Sequence, residues 1–244
     1  MDLLVEIGNT RLKWAWRFEG GRTPQKAVVH DGRLPVEARR EWSAEGSPAR
    51  VLVANVAGPE MEDTLHRWVL ETWRLEPRFL LSRAEQMGVV SAYQEPQTLG
   101  IDRWLALIAA HRAYPETLLI VDAGSAVTLD VLDAEGGHRG GFILPGLKMA
   151  HRALMANAAL PSTSLMEATD ELGTDTLSAI SNGMTHGVVA LIEKMVASLA
   201  KEGEMKTVMT GGDASRLLSL LSCPIRLHPE LVMEGLALVA EQTP

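Results

Sequence analysis

Cysteine is nearly missing from this chain: Cys223 stands alone among 244 residues, which excludes an internal disulfide and a cysteine-based metal cluster. Basic charge is also in deficit. With 23 Lys and Arg against 31 Asp and Glu, the net charge is −8 with His neutral, so a polyanion such as DNA or RNA is not expected as a ligand. A small anion held by local backbone groups remains open. No uninterrupted apolar run reaches the ~18 residues of a membrane helix, and the N-terminus lacks the basic-then-apolar order of a secretion signal. A soluble cytoplasmic protein without membrane or nucleic-acid partners is the expectation. The seven histidines, His30, His66, His111, His138, His151, His186 and His228, form no HExxH or other paired-ligand spacing. They read as surface or packing residues rather than zinc ligands.

What is present is ordinary for a globular protein: 46% hydrophobic and 22% charged residues, 21 Gly and 12 Pro. The length allows one large core or two domains of roughly 120 residues. The pattern along the chain favours two. Leu3-Leu4-Val5-Glu6-Ile7 is an apolar run ending in Gly8-Asn9-Thr10, and Leu12, Trp14 and Trp16 alternate beyond it, as in a β-hairpin. Ala27-Val28-Val29 and Val51-Leu52-Val53-Ala54 predict further strands, residues 35–46 and 61–73 predict helices, and Phe79-Leu80-Leu81 closes the half. Residues 88–100 read as loop, followed by a helix from Ile101 to the Tyr114-Pro115 stop.

The opening pattern then returns. Leu118-Leu119-Ile120-Val121 leads into Asp122-Ala123-Gly124-Ser125 and a second strand, so that Glu6-Ile7-Gly8 overlays Asp122-Ala123-Gly124 at an offset of 116 residues. A duplication at half the chain length predicts two similar domains, 1–115 and 116–244. Gly140 to Gly146 reads as a strand entering a Pro-Gly turn, with helices expected over 147–159, from Thr176 to Ala200 after a Thr174-Asp175 cap, and over 229–240. Val208-Met209-Thr210 feeds the Gly211-Gly212 turn. Strands alternating with helices make the class α/β.

Several residues carry chemistry. A Gly8-Asn9-Thr10 turn can aim backbone N–H groups at a phosphate, with Lys13 adding charge, although such turns also close ordinary hairpins. Glu6 and Asp122 are acids in or at the end of apolar strands, where burial calls for a cation, a donor network or a substrate proton. The plain alternative is a carboxylate turned to water at a strand end. Gly100-Ile101-Asp102-Arg103 starts a helix with an acid and a base about 100° apart, able to address different parts of one ligand. An Asp complementing the helix dipole beside a solvated Arg would give the same text.

Taken in order, these pieces resemble the type III pantothenate kinases, the Bvg accessory factor family. The series runs through Glu6-Ile7-Gly8-Asn9-Thr10 with Lys13, Tyr93 with Pro96, and Leu99 to Arg103, then Val121 to Thr128 and Gly140 to Gly146. Ala159-Leu160-Pro161, Thr176 with Ala179-Ile180 and Gly183, Thr210-Gly211-Gly212 and Glu234-Gly235-Leu236 complete it.

The resemblance implies a duplicated fold of the acetate-kinase, sugar-kinase, Hsp70 and actin-like (ribonuclease H-like) type, its halves flanking a nucleotide cleft. It implies transfer of the ATP γ-phosphate to the hydroxyl of pantothenate, the first step of coenzyme A synthesis, by a homodimer using Mg²⁺ and K⁺ or NH₄⁺. By motif position, the segment Glu6, Ile7, Gly8, Asn9, Thr10, Arg11, Leu12 and Lys13 would bind ATP together with Ser125. Asp102 would accept the proton, and Tyr93, Gly100, Ile101 and Arg103 would hold pantothenate, with Thr176 reaching it from the partner subunit. Asp122 would bind the monovalent cation and Glu6 would be placed for Mg²⁺. The family usually carries Asp where this chain has Glu6, and more often Thr where it has Ser125. A non-catalytic nucleotide-binding accessory protein of the same fold is the alternative. A kinase for another small hydroxy acid is opposed by Tyr93 and Arg103 together.

Overall fold

The computed structural model describes residues 1–158 and 164–242, so the Ala159-Leu160-Pro161 segment of the motif series lies outside the described residues. The chain divides into two compact units, Met1–Ala109 with Glu230–Pro244, and Ala110–Pro229.

In the first unit, β1 (Asp2–Ile7), β2 (Arg11–Phe18), β3 (Gly21–Arg22) and β4 (Lys26–Val29) precede α1 (Val36–Glu45), β5 (Arg50–Asn55), α2 (Pro59–Trp73) and β6 (Arg78–Phe79). The sheet order is β3-β2-β1-β5-β6, with β4 also on β2; β1 and β2 form the expected antiparallel hairpin, and β5 runs parallel to β1. Residues 88–100 are not loop throughout: β8 (Val89–Val90) pairs with β7 (Glu85–Gln86) in a two-residue ribbon, too short to leave a periodic signal, and a 3-10 turn spans Pro96–Thr98. Then α3 (Ile101–Ala113) begins.

All six residues of β1 are buried, and their alternation splits the sheet into two faces. Leu3, Val5 and Ile7 join Leu12, Trp14, Trp16, Val51 and Val53 in the core under α1 and α2. Four tryptophans extend it: Trp14 meets Trp42 edge-on at 5.9 Å, Trp42 tilts against Trp68 at 5.4 Å, and Trp68 meets Trp73 at 4.8 Å. These rings pack the core.

The opposite face carries Asp2, Leu4 and Glu6. The pairing register sets Asp2 between Arg17 on β2 and Arg50 on β5, but Glu6 between Lys13 and Ala54. Asp2 takes hydrogen bonds from Arg17 at 2.9 Å and from Arg50 at 2.6 and 3.2 Å. Burial pushes its carboxyl up, yet the Arg50 and Arg17 guanidiniums outweigh that and hold it below the usual carboxylate range.

The second unit repeats the plan. Strands β9 (Thr117–Ala123), β10 (Ala126–Leu132) and β11 (His138–Pro145) are followed by α4 (Leu147–Asn157), α5 (Thr176–Leu199), β12 (Met205–Thr210), α6 (Ala214–Leu218) and β13 (Ile225–Leu227). Its order β11-β10-β9-β12-β13 matches the main path of the first sheet, with β9–β10 antiparallel and β12 parallel to β9. Glu6 and Asp122 are the penultimate residues of β1 and β9, so the 116-residue offset aligns equivalent strand ends. This unit has its own core, centred on Leu119, Val121, Leu129, Ile192 and Met209. Helix α5 starts with the capping box expected there, Asp175 accepting from the Leu177 and Ser178 N–H groups.

The last helix, α7 (Leu231–Gln242), sets the units apart from a plain division into 1–115 and 116–244. It lies against β1, β2 and β5. The reason is contact with the first unit: Arg50 donates to the Ala240 carbonyl at 3.3 Å, and a Cβ on Gly235 would stand 2.0 Å from the Leu105 carbonyl.

Because the folded pKa of Asp2 is depressed, its stabilisation is full above the unfolded value and disappears as pH falls through the folded one. We expect Asp2→Asn to cost about 1.5–3 kcal/mol at pH 7, the scale of hydrogen bonds to a charged group, and to cost little near pH 2. Urea unfolding of both proteins across that range tests the difference; a pH-independent loss would contradict it.

Candidate active site

The turn between β1 and β2 is built around Gly8-Asn9-Thr10. The Gly8 N–H donates to the Arg11 carbonyl at 3.0 Å, closing the hairpin, so it is not available to a ligand. Among the described residues the Asn9 N–H has no acceptor, and Asn9 and Thr10 are exposed. Ile7 and Leu12 are fully buried in the core, leaving only their backbone to border the turn, whereas Arg11 is exposed.

Behind the turn, Lys13 holds Glu6 through a 2.7 Å contact between Nζ and Oε1. Glu6 is 6% exposed, and its Oε2 is buried with no hydrogen-bond partner among the described residues. Burial raises the Glu6 pKa; Lys13 opposes this, and the negative charge of Asp102 adds to it. The fold therefore brings two of the candidate carboxylates close enough to repel each other.

Asp102 stands in the first turn of α3. Its Oδ1 accepts the Arg103 backbone N–H at 2.8 Å. A Cβ at residue 100 would lie 2.6 Å from that same Oδ1, so Gly100 is what lets the carboxylate fold back over the helix start. Arg103, 7% exposed, donates to the Tyr93 hydroxyl at 2.9 Å and lies 5.6 Å from the Tyr93 ring centroid. Tyr93, Gly100, Ile101, Asp102 and Arg103 thus belong, with the β1–β2 turn, to the first unit. A cavity of about 720 Å³ is lined by His30, Gly32, Arg33, Leu34, Arg39 and Trp68, and by none of Tyr93, Gly100, Ile101, Asp102 or Arg103.

In the second unit the β9–β10 turn is one residue tighter. The Gly124 N–H donates to the Ala126 carbonyl at 2.9 Å, and the Gly146 N–H to the Ser125 carbonyl at 3.0 Å. Asp122, half-buried, is flanked in the register by Thr128 and Thr210. Gly211 is required beside it: its φ is +99°, and a Cβ would fall 2.5 Å from Asp122 Oδ1 and 2.4 Å from the Ala123 carbonyl oxygen. The next residues continue this tight packing, with the Asp213 N–H donating to the Ala123 carbonyl at 2.8 Å and its side chain paired with Lys148 at 2.9 Å. Thr176 is exposed at the start of α5.

The donor chemistry fits cations. A divalent ion that binds with ATP takes one or two protein carboxylates plus phosphate oxygens and water, and Glu6 offers a buried oxygen with no partner. No group of three or more ligating side chains occurs among the described residues. Near Gly211, Asp122 Oδ1 lies beside the Ala123 carbonyl oxygen.

One residue that sequence reasoning passed over belongs to this region. His30, read as surface or packing, reaches the Gly8 carbonyl through Nε2 at 2.7 Å. Its only signal in the sequence is its place directly after the Ala27-Val28-Val29 strand.

A family model described as type III pantothenate kinase matches residues 2–198. A type III pantothenate kinase from Nitrosococcus oceani is 41% identical over all of this chain and 95% of its own length, and one from Alcanivorax borkumensis is 36% identical over 98% of each. Among solved structures, a Baf-family protein from Campylobacter jejuni superposes with a TM-score of 0.60 at 22% identity, covering 98% of each chain. A protein described as a 2-dehydro-3-deoxygalactonokinase from Sinorhizobium meliloti gives 0.58 at 12% over 99% of each. These last two likenesses concern the fold alone.

Since the net environment of Glu6 disfavours its charge, the free protein loses stability as pH rises from the ordinary Glu range through the raised value. Glu6→Gln is expected to remove that slope and to raise Tm at pH 8 without nucleotide. Thermal unfolding from pH 4 to 8 measures it; a lower Tm for the variant at pH 8 would contradict the prediction.

Proposed function

Because the chain belongs to the type III pantothenate kinase family, we propose that the groups around the β1–β2 turn and the start of α3 carry ATP-dependent phosphorylation of pantothenate to 4'-phosphopantothenate. This is the step that opens coenzyme A synthesis. The observation that carries the assignment of roles is the convergence in one unit of an unengaged turn amide at Asn9, the Glu6–Lys13 pair, Asp102 and the Arg103–Tyr93 pair.

In this reading the Gly8-Asn9-Thr10 turn and Lys13 take ATP phosphates, and Ser125 of the second unit contributes its hydroxyl. Arg103, held by Tyr93, binds the pantothenate carboxylate, while Gly100 and Ile101 border the substrate at the helix start and Thr176 reaches it from a partner subunit. Asp102 accepts the hydroxyl proton as the oxygen attacks the γ-phosphorus; the bond from that phosphorus to the bridging oxygen breaks, and ADP leaves. Glu6 would hold Mg²⁺, which would supply charge neutralisation at the phosphates. Asp122 would hold K⁺ or NH₄⁺, adding positive charge in a chain whose net charge is −8. A homodimer is supported by the apolar residues Phe142, Ile143 and Met149, exposed on β11 and α4. The pool of ATP and pantothenate makes the cytoplasm the place of work. The folded-back Asp102 and the anchored Glu6 favour this reading over a non-catalytic accessory protein.

Purified protein given ATP, Mg²⁺, K⁺ and pantothenate should form phosphopantothenate; absence of turnover would overturn the proposal. Asp102→Asn should lower kcat by roughly 10²-fold or more, the scale for removing a general base, with KM for ATP little changed; near-parental turnover would reduce Asp102 to a positioning role. For Asp122→Ala, stimulation by K⁺ should vanish, and a retained K⁺ response would move the cation site elsewhere.

A further inference from the structure

We infer that His30 is a positioning residue for the nucleotide turn: its ring and backbone clamp two carbonyls of the turn and thereby aim the Asn9 amide at the phosphate. The inference rests on the assignment of that turn to ATP.

The hydrogen bonds fix the imidazole in one tautomer. The backbone N–H of Gly32 can only donate, and it donates to His30 Nδ1 at 3.1 Å. The remaining ring proton therefore sits on Nε2, which donates to the Gly8 carbonyl at 2.7 Å. The His30 backbone N–H donates to the Thr10 carbonyl at 3.0 Å. Residue 30 thus holds the carbonyls on both sides of Asn9, while the Gly8 N–H is tied to Arg11.

Peptide planarity turns this clamp into a directing device. No cis peptide occurs among the described residues. In a trans peptide the carbonyl of Gly8 and the N–H of Asn9 point to opposite sides. Drawing the Gly8 oxygen toward the imidazole therefore drives the Asn9 N–H away from it, as a donor with no acceptor among the described residues. Without the ring, the Gly8–Asn9 peptide is free to rotate as a unit, and an amide aimed at random is a poor phosphate donor. Gly32, at φ +93°, turns the chain in the left-handed region directly after that hydrogen bond.

The test measures KM for ATP, KM for pantothenate and the Kd of Mg-ATP by calorimetry in wild type, His30→Ala, His30→Phe and His30→Gln. His30→Ala should raise KM and Kd for ATP about tenfold, the effect of losing one well-aligned hydrogen bond to a charged group, and leave KM for pantothenate within about twofold. His30→Phe keeps ring bulk without a donor and should behave like Ala, which guards against a folding defect in the smaller variant. His30→Gln carries an N–H able to reach the Gly8 carbonyl and should recover most of the affinity. Asp2→Asn, destabilised far from the turn, serves as the structural control and should keep its KM for ATP. Unchanged ATP parameters in His30→Ala, an equal rise in both KM values, or no recovery in His30→Gln would overturn the inference. If wild type binds ATP but phosphorylates no pantothenate, the proposed function fails, and the Kd series alone decides the role of His30.

Discussion

Glu6 is a carboxylate buried in a sheet face with one ammonium group for company and a second carboxylate close by. The register makes the imbalance plain. Asp2, four residues earlier on the same strand and the same face, receives an arginine from each neighbouring strand, whereas at Glu6 the β5 position is filled by Ala54. The consequence is opposite in sign: Asp2 is held below the usual carboxylate range and Glu6 above it. Burial and the nearby Asp102 outweigh Lys13 and leave Glu6 short of compensating charge, and the chemistry proposed for this protein brings a cation with its nucleotide.

This deficit links the rest of the site. Lys13 compensates Glu6 in part and is fixed there by hairpin register. Asp102 adds to the deficit and keeps its place because Gly100 leaves space for a folded-back carboxylate. Arg103 donates to the Tyr93 hydroxyl, which orients its guanidinium. A site built this way is less stable empty than a neutral one would be, a common feature of functional sites. The acidic balance of the whole chain has the same sense: in the proposed reaction bound cations would offset the phosphate charge.

Much of this was legible in the residues. Strand text and glycine turns located both hairpins, and the 116-residue offset between Glu6 and Asp122 identified strand ends that proved topologically equivalent. An acid inside an apolar run pointed to burial, and Glu6 is buried while Asp122 is half-buried. Other features depend on tertiary return and leave no local trace. The register that gives Asp2 two arginines and Glu6 one lysine requires knowing that β5 pairs with β1. Helix α7 comes back to the first unit through the close approach of Gly235 to Leu105, which no periodicity announces. The engagement of the Gly8 N–H with Arg11 and the clamp from His30, 22 residues away from Gly8, are likewise set by pairing of β4 on β2.

We propose that the buried oxygen of Glu6, without a partner among the described residues, is the protein ligand of the cation arriving with ATP. The most direct test is thermal stabilisation by ATP with and without Mg²⁺ in wild type and Glu6→Gln, since a ligand that binds the folded state raises Tm. Wild type should gain clearly more from ATP with Mg²⁺ than from ATP alone, and in Glu6→Gln that difference should collapse. An equal Mg²⁺ dependence in the two proteins would contradict the account.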